Sequence, residues 1–279
     1  MIFSTKQFLK VSSMAANYIQ CGTMITLVPY NNGVIVGADS RSNFPESTFV
    51  ENYVDGASKL RRYERKEGRT LVYGIAGCAQ VFVPGSLVTA TSLAEYVKSC
   101  KLSFDAYSIV DAFLEKNEQA LSMEFRDALR KHIADHVALY GTKQLYRQRL
   151  SVVMAEVSNN RGELRISLTS LTVRFGMHNT FVGTAFITNQ LENESSYSVL
   201  SPSNPLNHGD LSVYGEQRLI EEILKGDLVY RQQLQLLQKH SLSEVDHEVA
   251  MKFTRAAFER VSGRVPTIGG QTTVEVIEG

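Results

Sequence analysis

The chain has 279 residues, of which 43% are hydrophobic and 21% charged, and its formal net charge is zero. This composition is typical of a soluble globular protein with a sizeable core, and the charge balance argues against partners such as nucleic acid or an anionic membrane surface. Three scattered cysteines argue against a disulfide framework, so a reducing cytoplasm is the expected location. The sequence contains no uninterrupted run of the roughly 18 apolar residues that would span a bilayer.

The first segment, residues 1–22, contains two lysines but lacks the compact apolar region of a secretory signal. We interpret it as a leader or removable propeptide, and residues 23–279 as one domain. No internal repeat, low-complexity tract or linker divides that domain.

Two strand pairs are predicted next. The first consists of residues 24–29 and 34–38, and the Asn32-Gly33 pair between them favours a hairpin turn because both residues tolerate positive φ. The second consists of residues 59–63 and 69–75.

The rest of the chain alternates between helical and strand patterns. Helices are predicted from apolar spacing at 86–100, 105–140, 213–239 and 243–262. Strands are predicted at 151–157, at 163–171 and within 265–277, and a polar loop at 188–211. Runs of strands separated from runs of helices favour an α+β fold. We therefore predict two antiparallel sheets between helix layers, a four-layer αββα sandwich.

Thr23 follows a glycine directly before the first strand. A threonine hydroxyl is a weak nucleophile unless a base takes its proton, and an N-terminal threonine carries such a base in its own α-amine, whose pKa is about 7.7–8.0. Gly22 tolerates the strained backbone that an attack on its carbonyl would require. The alternative is that Thr23 simply begins a strand, where threonine is common.

Asp39-Ser40-Arg41 follows the second strand, where a buried strand delivers polar groups to a site. Asp39 could hold the ammonium of Lys59, which opens the next strand, and that ammonium would lower the pKa of a nearby hydroxyl or amine. An ordinary surface salt bridge is the alternative. Gly77 ends a later strand, where a backbone N–H could serve an oxyanion or merely form a turn.

Together these features resemble the proteasome β-subunit family of N-terminal-nucleophile (Ntn) hydrolases, which includes the bacterial HslV-type peptidases. The segments that carry the resemblance are Gly22-Thr23, "GVIVGADSR", Lys59, "GIAGCA", "SVYGEQRLIEEIL" (212–224) and "GGQTTVEVI" (269–277). The spacing of 16 residues between Thr23 and Asp39 is also typical of that family. The resemblance covers about residues 22–279.

The resemblance implies a threonine-type peptidase or amidohydrolase that acts on polypeptides without a cofactor. Thr23, freed by cleavage after Gly22, would be the nucleophile, and Asp39 and Lys59 its supporting pair. The implied helpers are Arg41 for the Asp39 network, the Gly77 N–H for the oxyanion, and the Asn43 backbone for substrate. The resemblance also implies a homo-oligomeric ring, and it is compatible with an unfolding ATPase as a partner.

The chain departs from the family at three positions. Asp210 stands where a serine is usual, and it could accept a hydrogen bond from the amine. Val265 and Ile268 stand where an Asp and a Ser are usual. These apolar residues favour an alternative function as a non-catalytic structural subunit of a proteasome-like assembly.

Two further alternatives concern cysteine and metal chemistry. Cys21 could be the nucleophile, since a thiol is intrinsically stronger than a hydroxyl, although its spacing to Asp39 grows to 18 residues. His132 and His136 lie four residues apart on a predicted helix, but no acidic or cysteine partner completes a metal-binding set, so no metal site is predicted.

Overall fold

The computed structural model describes residues 18–20, 22–44, 47, 49, 51–83, 90, 92–140, 149–180, 183–189, 196–201, 203, 212–214, 217–238 and 240–279. Within them the strands are β1 (Tyr18–Gln20), β2 (Ile25–Tyr30), β3 (Gly33–Asp39), β4 (Ser42–Asn43), β5 (Tyr53–Val54), β6 (Leu60–Arg65), β7 (Arg69–Gly77), β8 (Gln80–Val83), β9 (Lys101–Asp105), β10 (Arg149–Asn160), β11 (Glu163–Thr180), β12 (Gly183–Asn189), β13 (Ser196–Leu200), β14 (Ser212–Tyr214) and β15 (Thr272–Glu278). The α-helices are α1 (Leu93–Ser99), α2 (Ala106–Leu114), α3 (Met123–Tyr140), α4 (Gln217–Gly226), α5 (Leu228–Gln238) and α6 (His247–Ser262).

The strands form two larger and two smaller sheets. One larger sheet has the order β14-β2-β3-β15, and the other has the order β12-β11-β10-β7-β6 with β13 also paired to β11. The smaller sheets are β1-β8-β9 and β4-β5. Each of these pairings is antiparallel. The prediction of a mixed fold with antiparallel sheets and helices is confirmed.

Apolar side chains from the sheets and helices form two main clusters. One combines both faces of the β2–β3 hairpin with β7, β10 and the helices α4, α5 and α6. The other combines the opposite face of β7 and β10 with α2 and α3. Strands β7 and β10 therefore bury side chains on both faces, which explains their nearly unbroken apolar sequences.

The first predicted hairpin is confirmed: β2 and β3 are joined by a turn at Asn31 and Asn32 and pair from Ile25 opposite Ala38 to Tyr30 opposite Gly33. The second hairpin is confirmed as β6 and β7, which pair from Leu60 opposite Gly74 to Arg65 opposite Arg69. Both turns are short and local, so the sequence around them determines the register.

The helix predictions need correction at several places. Of residues 86–100, only Leu93–Ser99 is described as a helix. The predicted helix 105–140 is two helices, and the predicted helix 213–239 is strand β14 followed by α4 and α5. The loop prediction at 188–211 missed β13, and strands β8 and β9 were also not predicted.

The break between α2 and α3 has a tertiary cause. Arg65 donates to the carbonyl oxygens of Asn117 and Gln119, the latter at 2.8 Å. Arg69 donates to the Glu118 carbonyl oxygen at 2.6 Å, and Glu156 accepts from the Leu121 N–H at 3.1 Å. These partners satisfy the peptide groups that a continuous helix would pair internally, so the helix ends although its apolar pattern continues.

Candidate active site

The β2–β3 hairpin brings the start of one strand against the end of the other. The Asp39 N–H donates to the Met24 carbonyl oxygen at 3.2 Å, and the Met24 N–H donates to Asp39 Oδ1 at 2.8 Å. Thr23, the residue before Met24, therefore lies beside the Asp39 carboxylate. The spacing of 16 residues between Thr23 and Asp39 follows from the two strands and their short turn.

Lys59 reaches the same carboxylate from the other large sheet, because it directly precedes β6. Its Nζ lies 3.1 Å from Asp39 Oδ1, and both side chains are only 2% exposed. The Lys59 ammonium also donates to the Arg41 carbonyl oxygen and to the Gly22 carbonyl oxygen at 3.4 Å. Its three donors therefore have one charged partner and two backbone partners.

Asp39 is the centre of this network. Besides Met24 and Lys59 at Oδ1, its Oδ2 accepts from the N–H groups of Arg41 and Gly269, each at 3.2 Å. Four donors therefore satisfy both oxygens of this buried carboxylate. The backbone as well as Lys59 holds the Asp39 side chain in place.

Burial lowers the pKa of the Lys59 ammonium, and the nearby Asp39 carboxylate opposes that shift. The direction is what desolvation of a cation predicts. A lysine with a lowered pKa gives up a proton more readily than a solvated lysine. It is also a cation placed at a carbonyl oxygen, where it can stabilise developing negative charge.

Thr23 is 3% exposed, and its hydroxyl donates to the Gly22 carbonyl oxygen. The same oxygen accepts from Lys59. The nucleophile candidate thus lies against the carbonyl of the peptide bond that would have to be cut. Gly22 itself has φ +82°, and a Cβ on it would lie 2.4 Å from Asn43 Nδ2 and 3.0 Å from the Thr267 carbonyl oxygen.

Arg41 contacts the Asp39 network through its backbone. Its side chain makes a separate set of contacts that the sequence did not indicate. Its guanidinium forms a bidentate pair with Asp55, at 2.9 and 3.1 Å, and donates to the Pro266 carbonyl oxygen at 3.0 Å. Its Cζ lies 3.9 Å from the centre of the Tyr53 ring. The Asp55 hydrogen bond raises the pKa of Arg41, and Arg41 in turn lowers the pKa of Asp55.

Ser40 was not singled out in the sequence, yet it ties three segments together. Its hydroxyl oxygen accepts from the Gln271 N–H at 2.9 Å and from the Gly56 N–H at 3.3 Å. A Cβ on Gly270, whose φ is +71°, would lie 2.4 Å from that oxygen. The Gly-Gly turn before β15 is thus held against the end of β3, which positions the Gly269 N–H on Asp39.

The other predicted site residues lie around this centre or outside the described residues. Asn43 lies in β4 and donates from Nδ2 to the Thr267 carbonyl oxygen at 2.5 Å. Val265 and Ile268 are core residues, 1% and 0% exposed. Asp210 and Cys21 lie outside the described residues, so their roles stay predictions.

Gly77 ends β7 with φ +87°, and a Cβ there would lie 2.3 Å from the Arg149 carbonyl oxygen. The role of its N–H toward an oxyanion stays a prediction. A Gly77→Ala substitution should lower the free energy of unfolding by about 1–3 kcal/mol, because alanine resists positive φ and a backbone atom blocks its methyl group. Denaturant unfolding measures this, and Gly263→Ala is the control, since that glycine has negative φ and open space. If Gly77→Ala and Gly263→Ala lowered the free energy of unfolding equally, the explanation by positive φ and a blocked methyl group at Gly77 would be contradicted.

A short strand lies just before this site in the sequence. Strand β1 (Tyr18–Gln20) pairs antiparallel with β8, with Tyr18 opposite Phe82 and Gln20 opposite Gln80. Beside it is a cavity of about 290 Å³, whose wall includes Lys59 and Gln80.

Among the residues that the structure describes, no group of three or more His, Cys, Asp or Glu side chains is arranged to hold a metal ion. No helix in the described part of the chain combines the length and the apolar character needed to cross a membrane.

No protein-family model matches the chain, and no curated protein matches it. Among solved structures it is similar to the Anbu protein (ancestral beta-subunit) of Yersinia bercovieri, with 13% identity, a TM-score of 0.47, and coverage of 91% of this chain and 81% of that one. It is also similar to the Anbu complex of Pseudomonas aeruginosa, described as a helical assembly, with 13% identity, a TM-score of 0.46, and coverage of 91% of this chain and 81% of that one. For a mutant Anbu of Hyphomicrobium sp. strain MC1 the identity is 13%, the TM-score is 0.44, and the coverage is 92% of this chain and 82% of that one.

These comparisons correct the family assignment. The expected membership of the proteasome β-subunit family with its HslV-type peptidases is wrong as stated, since no family model matches and these structural neighbours are Anbu proteins at 13% identity. The segments that carried the resemblance are short, and a match of short motifs alone has a substantial false-positive risk. With TM-scores below 0.5, the likeness is distant and carries no inference about activity.

Proposed function

We propose that this chain is a threonine-type amidohydrolase that cleaves peptide bonds, with Thr23 as its N-terminal nucleophile after cleavage behind Gly22. The observation that supports it is the convergence on one carbonyl: the Gly22 oxygen accepts from the Thr23 hydroxyl and, at 3.4 Å, from the Lys59 ammonium. A hydroxyl and a buried cation at one peptide carbonyl are the two groups that acyl transfer needs.

The proposed reaction begins when the free α-amine of Thr23 takes the hydroxyl proton. The Oγ then bonds to the substrate carbonyl carbon, the C–N bond breaks, and the departing amine receives that proton. Water hydrolyses the resulting ester and restores the hydroxyl, with the amine again acting as base. Lys59, held by Asp39, stabilises the negative charge and keeps the Thr23 hydroxyl acidic.

The extended leader supports a peptide as substrate. Strand β1 adds to the edge of β8 through main-chain pairing, which is a common mode of peptide recognition. A substrate strand that replaces the leader would keep its carbonyl near Thr23 and Lys59. In this proposal residues 1–22 are the leader and residues 23–279 the hydrolase domain.

Turnover of fluorogenic peptide amides tests the proposal. The wild type and Thr23→Ser should release the fluorophore, whereas Thr23→Ala should not, because serine keeps a hydroxyl and alanine does not. Equal turnover by Thr23→Ala and the wild type would refute Thr23 as the nucleophile. If Cys21→Ser lost turnover and Thr23→Ala kept it, the reaction would be assigned to the cysteine.

The two apolar clusters support the four-layer αββα arrangement as part of the proposal. One cluster joins both large sheets and the helices α4–α6, and the other joins the second sheet to α2 and α3. A sequence of helix layer, sheet, sheet and helix layer accounts for both clusters. Thr23 and Lys59 then meet between the two sheets.

A second candidate function is a subunit without catalysis, and the buried Val265 and Ile268 favour it. These side chains lie just before Gly269, whose N–H binds Asp39, and they offer no polar group to orient a free amine. Absence of both leader cleavage and turnover would select this candidate.

Self-assembly into a homo-oligomeric ring is proposed for either function. Exposed apolar side chains on α5 and at the start of α6, Leu228, Val229 and Val249, are 60%, 46% and 43% exposed in the single chain, and apolar surface of this kind is often covered in assemblies. Light scattering should give one mass several-fold above 31.1 kDa, since a closing heterologous interface gives a discrete ring. A monomer at micromolar concentration would refute the ring.

A further inference from the structure

The cavity beside Lys59 is suited to one side chain of a peptide. Its volume is about 290 Å³, which is at the lower limit of pockets that hold drug-sized molecules. Phe44, Val54 and Val97 provide apolar wall. Such a wall accommodates the methylene groups of a side chain. The polar groups of the lining then determine which terminal group of that side chain the cavity binds.

The charged residues of the lining, Lys59 and Arg61, are both cations. Arg61 is an exposed residue of β6, and its Cζ is 5.5 Å from the centre of the Tyr107 ring, which also lines the cavity. Among the described residues, Arg61 has no carboxylate within ion-pair distance. Lys59 is the other cation, and Asp39 already pairs with it. No lining residue that the structure describes carries a carboxylate.

The leader shows which side of the cut bond the cavity faces. Gln80 lies opposite Gln20, three residues before Thr23, and Gln80 also lines the cavity. Lys59, another lining residue, contacts the Gly22 carbonyl oxygen at 3.4 Å. The cavity therefore extends along the acyl side, next to the residues that precede the cut bond.

From this arrangement we infer that the cavity binds an acidic side chain, glutamate or aspartate, of a peptide on the acyl side of the cut bond, with Arg61 as the residue that selects it. This inference rests on the proposed function for its link to cleavage, but not for the binding itself. The carboxylate contacts the guanidinium, and the methylene groups pack on Phe44, Val54 and Val97. A hydrogen bond between two charged groups is stronger than a neutral one, so glutamate is preferred over glutamine.

The first arm of the test measures kcat/KM on peptide amides that differ only by Glu, Gln or Lys at the three positions before the cut bond. At one position Glu should exceed Gln roughly tenfold at low salt, and the preference should shrink as salt rises. Arg61→Gln should abolish the preference, and Arg61→Glu should reverse it toward Lys. Arg62→Gln is the matched control, because Arg62 is the next residue of β6, pairs with Glu64 at 2.8 Å and does not line the cavity.

The second arm needs no turnover. Saturation-transfer NMR on the full chain, as purified, compares N-acetylglutamate amide with N-acetylglutamine amide as the actual probes. Selective binding of the glutamate probe that Arg61→Gln removes and Arg62→Gln retains supports the cavity, even if no peptide is cleaved and the proposed function fails. Equal binding of the two probes, or equal effects of the two substitutions, overturns the inference even if peptides are cleaved.

Discussion

The purified wild-type protein should lack residues 1–22 and begin at Thr23. The Thr23 hydroxyl already donates to the carbonyl oxygen of Gly22, and the Lys59 ammonium lies 3.4 Å from that oxygen. Attack of Oγ on the Gly22 carbonyl carbon would form an ester and break the peptide bond, and water would then release the leader. Intact mass and N-terminal sequencing measure the product directly.

Three variants distinguish this route from cleavage by another protease. Thr23→Val, which keeps the shape of threonine without its hydroxyl, should stay full length, whereas Thr23→Ser should be processed. Gly22→Ala should be processed slowly, because Gly22 has φ +82° and its Cβ would lie 2.4 Å from Asn43 Nδ2. A Thr23→Val chain that starts at residue 23 would contradict self-cleavage, and a mature wild-type chain that starts at Cys21 would support the cysteine alternative.

The part of this site that the sequence predicts is the part that local structure determines. The short turn at Asn31 and Asn32 fixes the register of β2 and β3, and that register places Met24 against Asp39. The approach of Lys59 could be proposed because a lysine opens the next predicted strand. Its two backbone partners, the carbonyl oxygens of Gly22 and Arg41, could not be predicted.

The remaining contacts depend on segments that are distant in sequence. The Arg41–Asp55 pair depends on the path of the chain between the two residues. The Arg41–Pro266 hydrogen bond joins residues near opposite ends of the sequence. No periodicity or spacing records such contacts. Similarly, the α2–α3 break depends on Arg65 and Arg69, which lie on strands of the sheet, and a helical pattern read in isolation cannot show it.

Replacing Lys59 should have the second large effect: both leader cleavage and peptide turnover should be lost in Lys59→Met. Methionine is unbranched and flexible enough to occupy the space of the lysine side chain, but it offers no positive charge to the Gly22 carbonyl oxygen. A missing acid–base or charge-stabilising group typically costs about 10²–10⁴-fold in rate. Lys59→Arg should fail as well, because the planar guanidinium is larger than the ammonium and would have to occupy the buried position of Lys59, whose side chain is only 2% exposed.

Loss of activity must be separated from loss of the fold. Removing one partner of a buried ion pair typically costs about 3–5 kcal/mol, but three backbone N–H groups, those of Met24, Arg41 and Gly269, still hold Asp39. We therefore expect a smaller loss than that on denaturant unfolding, with the circular dichroism spectrum retained. Lys66→Met is the control, because the Lys66 side chain is 77% exposed and its removal should change neither property.

The pH dependence of leader cleavage provides the sharper test of Lys59. Before cleavage no free α-amine exists at Thr23, so the ammonium of Lys59 is the group at the Gly22 carbonyl whose protonation matters. Burial lowers the Lys59 pKa, so the ammonium is present at low pH and is lost as pH rises through a value below the ordinary lysine pKa of about 10.4. Cleavage should therefore slow on the alkaline side earlier than a solvated lysine would allow. Lys59→Met that cleaves its leader at the wild-type rate and pH dependence would show that Lys59 has no part in the reaction.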